Sequence, residues 1–125
     1  MSKKVLVIST SPRKGGNSDA LADAFVRGAQ KAGNDAEKVT LSDKTIGFCR
    51  GCLTCQSTQR FAIHDDADTI VRQMLTADVI GFATPIYYYG MCGETKTMLD
   101  RANPLFSADH AFRESTLQAS ATTAD

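Results

Sequence analysis

Residues Lys4 to Thr10, KVLVIST, form a β-branched apolar run with no alternation. A strand with one wet face alternates; a continuous run of this length suits a strand buried on both faces, as in a parallel sheet. Directly after it comes SPRKGGNS, Ser11 to Ser18, a stretch of turn-forming residues. Leu21, Phe25, Ala29 and Ala32 then recur along one helical face. Asn17 or Ser18 can cap that helix at its start, and Gly33-Asn34 closes its end. Ala36 to Leu41 reads as a shorter, more polar strand nearer a sheet edge. Ala67, Ile70, Val71, Met74 and Leu75 form a second helical stripe, opened by Asp65-Asp66, which suit a helix start by capping and by the dipole. Val79 to Ala83 is a third buried strand, followed by TPIYYYG and a helix from about Gly93 to Asn103. Alternating strands and helices imply a parallel sheet with helices on both faces. Ligands of such sheets bind at the carboxyl ends of the strands. Both unusual loops, SPRKGGNS and TPIYYYG, follow strands and so lie at that end.

Composition narrows the function classes. A chain of 125 residues is one domain, and 42% apolar with 22% charged residues describes a packed core rather than a disordered chain. Fourteen basic residues balance fourteen acidic ones, so there is no electrostatic footprint for nucleic acid. No apolar run approaches the roughly 18 residues that span a bilayer. MSKKVLVIST has two lysines and a short apolar run but not the pattern of a signal peptide, so a cytoplasmic protein is expected. In that setting four cysteines point to metal, cluster or reduced thiols before a disulfide frame.

Two loops carry candidate chemistry. In Ser9 to Ser18, glycines and hydroxyls between a buried strand and a helix start make an anion site, where backbone N–H groups and the helix dipole favour a phosphate. Ser11, Asn17 and Ser18 can add side-chain hydrogen bonds. Arg13 can add a charge-assisted one, and Lys14 stands beside it. The loop is neither a Walker loop nor a G-x-G-x-x-G turn, and an ordinary strand-to-helix turn is the bland alternative. In Ala83 to Lys96, three consecutive tyrosines follow a strand. Rings at the mouth of a sheet can flank a planar ligand, or they can cover a core edge or an interface.

With these loops in place, Lys4 to about Phe106 resembles the flavodoxin-like NAD(P)H-dependent FMN reductases and the related iron–sulfur flavoproteins. The resemblance is carried by S-x-S-P-R-K-G-G-N-S, C-x-G-C-x-x-C, Asp65-Asp66 before a helix, and P-I-Y-Y-Y-G followed by Lys96 and Asp100-Arg101. It implies a flavodoxin-like α/β/α sandwich and an enzyme that passes electrons from NAD(P)H through FMN to an acceptor. It also implies a homodimer or higher oligomer. Ser11, Arg13, Asn17 and Ser18 would hold the FMN phosphate, with Lys14 in the same loop. Pro85, Ile86, Tyr87, Tyr88 and Gly90 would lie along the isoalloxazine ring. No protein acid or base is required, because the cofactor carries the hydride or electrons. His64 and His110 are therefore read as surface residues. Two other readings stand beside this one: an FMN-binding electron carrier without a nicotinamide site, and a degenerate chain that binds flavin poorly or not at all.

The sequence departs from the family twice. Cys49-Arg-Gly-Cys52-Leu-Thr-Cys55 can set three sulfurs around one metal or cluster. In iron–sulfur flavoproteins a fourth cysteine follows before the Asp-Asp helix start, and here Phe61 or its neighbours stand in its place. Plain thiols, a metal completed by Cys92, His64 or another group, and a redox-active dithiol remain open, but a stable four-iron cluster is not expected. The second departure is the sheet. A flavodoxin-like sheet has five strands in the order 2-1-3-4-5; three are recognisable here, as in a member cut short or given a different end. Residues 1–106 are thus expected to form a partial FMN-binding domain, and 107–125 a weakly helical or disordered tail. Val79 to Ala83 would then be an unpaired apolar edge, which favours a dimer.

Overall fold

The computed structural model describes residues 2–51, 63–102 and 119–123. Strand β1 (Lys4–Ser9) is buried along its length except at Lys4, as its unbroken apolar run requires. Helix α1 (Asn17–Lys31) returns the chain to β2 (Asp35–Thr40), which pairs with β1 in parallel register, Val5 opposite Ala36 and Ile8 opposite Val39. A 3-10 turn at Leu41–Asp43 leads into the cysteine segment. Helix α2 (Ala67–Thr76) precedes β3 (Val79–Thr84), which pairs with the other side of β1. A two-stranded hairpin, β4 (Ile86–Tyr87) with β5 (Gly90–Met91), leads into α3 (Gly93–Asp100), and β6 (Ala119–Thr123) closes the described chain.

The main sheet has the order β2-β1-β3-β6, all parallel. The order 2-1-3 is that of a flavodoxin-like sheet, and the helices lie on both faces. Helix α1 packs Ala22, Val26 and Ala29 against Val5, Val7 and Ala83. On the opposite face, Ala67, Ile70, Val71 and Met74 of α2 and Met98 of α3 pack against Leu6, Ile8, Ile80 and Phe82. Burying a side chain such as Ile70 or Met98 stabilises the fold by about 1.5–3 kcal/mol. Among the described residues no helix is long and apolar enough to cross a membrane.

Several expectations need correction. The sheet has a fourth strand. Ala119–Thr123 pairs with β3, Ile80 opposite Ala119 and Thr84 opposite Thr123. The tail is therefore not wholly helical or disordered; its residues 107–118 lie outside the described part. Strand β3 is interior, so the unpaired edge from which a dimer was expected is occupied. Small side chains and two threonines suffice because the ladder is made by backbone groups.

On α1 the buried face is shifted by one residue from the expected stripe. Small Ala22 lies against the strands, while Leu21 and Phe25 stay 43% and 45% exposed at the helix flank. These two border an apolar cavity of about 300 Å³ with Val7, Gly81 and Phe82. Leu75 of α2 is likewise exposed. Gly16, not Asn17 or Ser18, is the N-cap of α1, and α3 ends at Asp100, earlier than the expected Asn103.

Candidate functional site

The first loop leaves β1 through Thr10, whose N–H donates to the Ala83 carbonyl at 2.9 Å. The loop is thereby rooted between the ends of β1 and β3. Ser11 is buried, and its Oγ accepts the Arg13 N–H at 3.2 Å, a local hydroxyl turn. Gly15 has φ +74, a conformation that β-branched and bulky residues avoid. The N-cap of α1 is Gly16, which has no side chain with which to cap, and the positive end of the helix dipole faces the loop, with Ser18 buried in the first turn. Arg13, Lys14 and Asn17 are exposed around this helix start. Buried hydroxyls, a helix N-terminus and exposed cations form a donor set suited to a phosphate.

Asp19 holds this loop from behind, a role its sequence context did not single out. Its Oδ2 accepts the Gly15 N–H at 3.1 Å, and its Oδ1 accepts from Ser9 Oγ at 2.8 Å and Lys38 Nζ at 2.9 Å. Lys38 also pairs with Asp23 at 2.7 Å. One carboxylate thus joins β1, the loop, α1 and β2. The available signal was an acidic residue in the first turn after a Gly-rich loop. The Lys38 hydrogen bond holds the Asp19 carboxyl below the usual carboxylate value, against the effect of burial and with help from Gly15 and Ser9. Burial pulls the Lys38 ammonium down, but Asp23 and Asp19 outweigh it and leave it raised.

A depressed carboxyl contributes stability above its unfolded pKa, and that contribution is lost as pH falls through the folded value. A raised lysine contributes fully below its unfolded pKa and loses that contribution as pH rises through the folded one. The urea midpoint is expected to fall as pH drops below about 4, and Asp19→Asn to flatten that fall. Equal slopes for variant and wild type in urea titrations between pH 2 and 5 would remove Asp19 from this role.

The second loop starts at Pro85, which is fully buried, and forms the β4–β5 hairpin. Its two-residue turn is Tyr88-Tyr89, with φ of 48° and 64°. Positive φ at both central residues marks a type I′ turn, where asparagine and glycine are the usual occupants. The two rings meet edge to face, centroids 5.7 Å apart, and both residues are 96% exposed. Ile86 and Tyr87 are each 47% exposed, and Gly90 is exposed beside open space. Strained aromatic residues held in the open do not cover a core edge; such surface suits a ligand or an interface.

The roots of the two loops are joined by a buried cluster of hydroxyls and one thiol. Thr10 Oγ1 donates to the Ala83 carbonyl at 2.9 Å and accepts from Thr95 Oγ1 at 2.7 Å. Thr84 Oγ1 accepts the Cys92 N–H at 3.1 Å and lies 2.9 Å from the Pro85 carbonyl. Cys92 Sγ sits among Thr10, Thr84 and Thr95, 3.3–3.4 Å from each hydroxyl. Every member is at most 2% exposed. No sequence signal marks this cluster, because its members come from three separate elements.

A second polar cluster ties the flanks of the cysteine segment to α3. Arg101 Nη1 bonds Asp65 Oδ2 at 2.8 Å and the Gly47 carbonyl at 3.0 Å, while Nη2 bonds the Ile63 carbonyl at 3.0 Å. Asp65 also accepts from the N–H groups of Gly47 and Ala67, at 2.7 and 3.1 Å. Burial pushes the Asp65 carboxyl up, but the Arg101 bond and these two N–H groups together hold it down. Asp65 thus does supply a helix-start bond, as its position suggested. Asp66, at the N-cap position, makes no side-chain cap bond and instead accepts the Thr45 N–H at 2.7 Å.

Of the cysteines, Cys49 is exposed, and its Sγ accepts the Gly51 N–H at 3.4 Å, with Gly51 at φ +68. Cys52, Cys55 and Phe61 lie outside the described residues. Among the described residues no group of three histidine, cysteine or carboxylate side chains is placed to hold a metal. Of the two suggested stand-ins, Cys92 is enclosed by threonines, and His64 is exposed with its ring 3.4 Å from Asp68.

Residues 3–124 match the family described as NADPH-dependent FMN reductase. An iron–sulfur flavoprotein of Archaeoglobus fulgidus is 36% identical over 101 residues, 81% of this chain and 46% of that protein. A Bacillus subtilis protein named for NAD(P)H-dependent FMN-containing oxidoreductase activity is 37% identical over 98 residues, 78% of this chain and 51% of its own length. The chain spans about half the length of these curated relatives. Among solved structures, a flavone reductase superposes with a TM-score of 0.64 at 30% identity, covering 81% of this chain and 30% of the other.

Proposed function

The chain belongs to the NADPH-dependent FMN reductase family, and we propose that it binds FMN and passes electrons from NAD(P)H to an acceptor. The observation that carries this reading is the joining of a glycine- and hydroxyl-rich helix start to an exposed aromatic hairpin through Thr10, Thr84, Cys92 and Thr95. In this reading Ser11, Arg13, Lys14, Asn17 and Ser18 hold the phosphate. Pro85, Ile86, Tyr87, Tyr88 and Gly90 lie along the ring. When bound, FMN supplies the hydride and electron chemistry; the chain supplies binding, orientation and shielding from water. The α1 N-terminus and the Ser11 and Ser18 hydroxyls would hold the phosphate, through backbone N–H groups, the helix dipole and hydrogen bonds. Arg13, on the exposed side, would add a charge-assisted bond to it. Pro85 fixes the direction in which the hairpin leaves the sheet, and Tyr87 and Tyr88 offer flat apolar surface to a planar ring. The reading includes a homo-oligomer, supported by the exposed Leu21 and Phe25 beside an apolar cavity.

Replacing Arg13 and Ser18 together by alanine removes one charge-assisted bond and one neutral bond, about 1.5–3 and 1 kcal/mol respectively. FMN affinity is expected to fall at least tenfold in a fluorescence titration. An unchanged dissociation constant would place the phosphate elsewhere. Bleaching of the bound flavin by NADPH tests the reductase half of the reading; a bound flavin that does not bleach would make the protein a carrier.

A further inference from the structure

We infer that Thr95 is a positioning residue that couples the phosphate loop to the aromatic hairpin. The inference rests on the FMN reading above and deepens it. Thr95 is 2% exposed in the first turn of α3, outside both the loop of residues 11–18 and the β4–β5 hairpin. Its hydroxyl donates to Thr10 Oγ1 at 2.7 Å, at the root of the phosphate loop. The same hydroxyl lies 3.3 Å from the sulfur of Cys92, the residue through which the hairpin enters α3. Thr10 Oγ1 in turn donates a hydrogen bond to the Ala83 carbonyl, next to Thr84 and Pro85, where the hairpin begins. The phosphate loop and both ends of the hairpin are therefore fixed to each other by one set of directional bonds.

A cluster of this kind is a poor source of stability, since apolar side chains of the same shape could fill the space. Its chemical value is geometric. Each hydroxyl bonds a group on another segment, Thr10 to Ala83 and Thr95, Thr84 to Cys92, so the separation between the phosphate loop and the hairpin is held at one setting. A ligand with a phosphate at one end and a planar ring at the other binds best when that separation matches its length. A ligand lacking the phosphate uses the hairpin alone and is indifferent to the setting.

FMN and riboflavin differ in this one group, which makes them the probes. Dissociation constants for both are measured by flavin fluorescence on wild type, Thr95→Val and Thr95→Ser. Valine keeps the branched shape and loses the hydroxyl; serine keeps the hydroxyl. Thr95→Val is expected to cut the preference for FMN over riboflavin at least fivefold, through weaker FMN binding with riboflavin binding little changed. Thr95→Ser is expected to stay within twofold of wild type. Thr95→Ala, which relieves any crowding that valine introduces, carries the same expectation as valine. An equal loss for both flavins in the valine and alanine variants means a merely structural role and overturns the inference. So does an unchanged preference. If wild type binds both flavins equally, the phosphate assignment itself is wrong, and the proposed function fails before the coupling is reached.

Discussion

Replacing Arg101 by methionine is expected to lower the unfolding free energy by about 3–5 kcal/mol, the range for breaking a buried ion pair on one side. The guanidinium side chain is 2% exposed and its Asp65 partner 10%. Methionine fills much of the same volume but leaves a carboxylate out of water, with the Gly47 and Ala67 N–H groups as its donors among the described residues. It also leaves the Gly47 and Ile63 carbonyls without their donor. The double variant Arg101→Met with Asp65→Asn is expected to recover a large part of the loss, because a neutral amide needs no counter-charge. Urea unfolding followed by circular dichroism measures both. A single variant within about 1 kcal/mol of wild type, the scale of a solvent-exposed pair, would mean that water reaches this site in solution.

The Tyr88-Tyr89 turn is expected to respond in the opposite sense. A bulky residue in the left-handed region costs about 1–2 kcal/mol. The two rings recover about 0.5–1.5 kcal/mol from their edge-to-face contact. Replacing the pair by Asn-Gly, the favoured type I′ sequence, is therefore expected to raise stability by about 1–3 kcal/mol. The same change removes Tyr88 from the proposed ring platform, so flavin affinity is expected to fall as the melting temperature rises. Differential scanning calorimetry and a flavin titration on one variant give both numbers. A gain in stability with full flavin affinity would show that the strain serves something other than the ring. A loss of stability would show that the turn is not strained in solution.

Much of the sheet was legible because its signal is local. KVLVIST and VIGFA are unbroken apolar runs, and such runs have few fates other than a doubly buried strand. The α2 stripe was legible for the same reason at helical period, apart from exposed Leu75. Strand β6 was not, because Ala-Ser-Ala-Thr-Thr carries no apolar pattern and earns its place through backbone pairing with β3. On α1 the larger Leu21 and Phe25 drew attention from Ala22, although close packing on a sheet favours the small side chain. Within the site, the loop residues stood out by composition, whereas the groups that hold the loops did not. Thr10, Thr84 and Thr95 are ordinary threonines until the fold brings them together. Asp65 and Arg101 are separated by 36 positions and meet only across two elements.

Helix α3 buries little, yet it is anchored at both ends. Thr95 holds its first turn to the sheet, and Arg101 holds its last to the stems of the cysteine segment. The six-residue step between these anchors corresponds to about 240° around the axis and about 9 Å along it. Two anchors at different azimuths and heights forbid rolling: the rod cannot rotate about its own axis without breaking one of them. The direction of the hairpin that feeds into its N-terminus is thereby set partly from the far end. A disturbance of the cysteine stems would be felt as torque at the base of the Tyr88-Tyr89 hairpin.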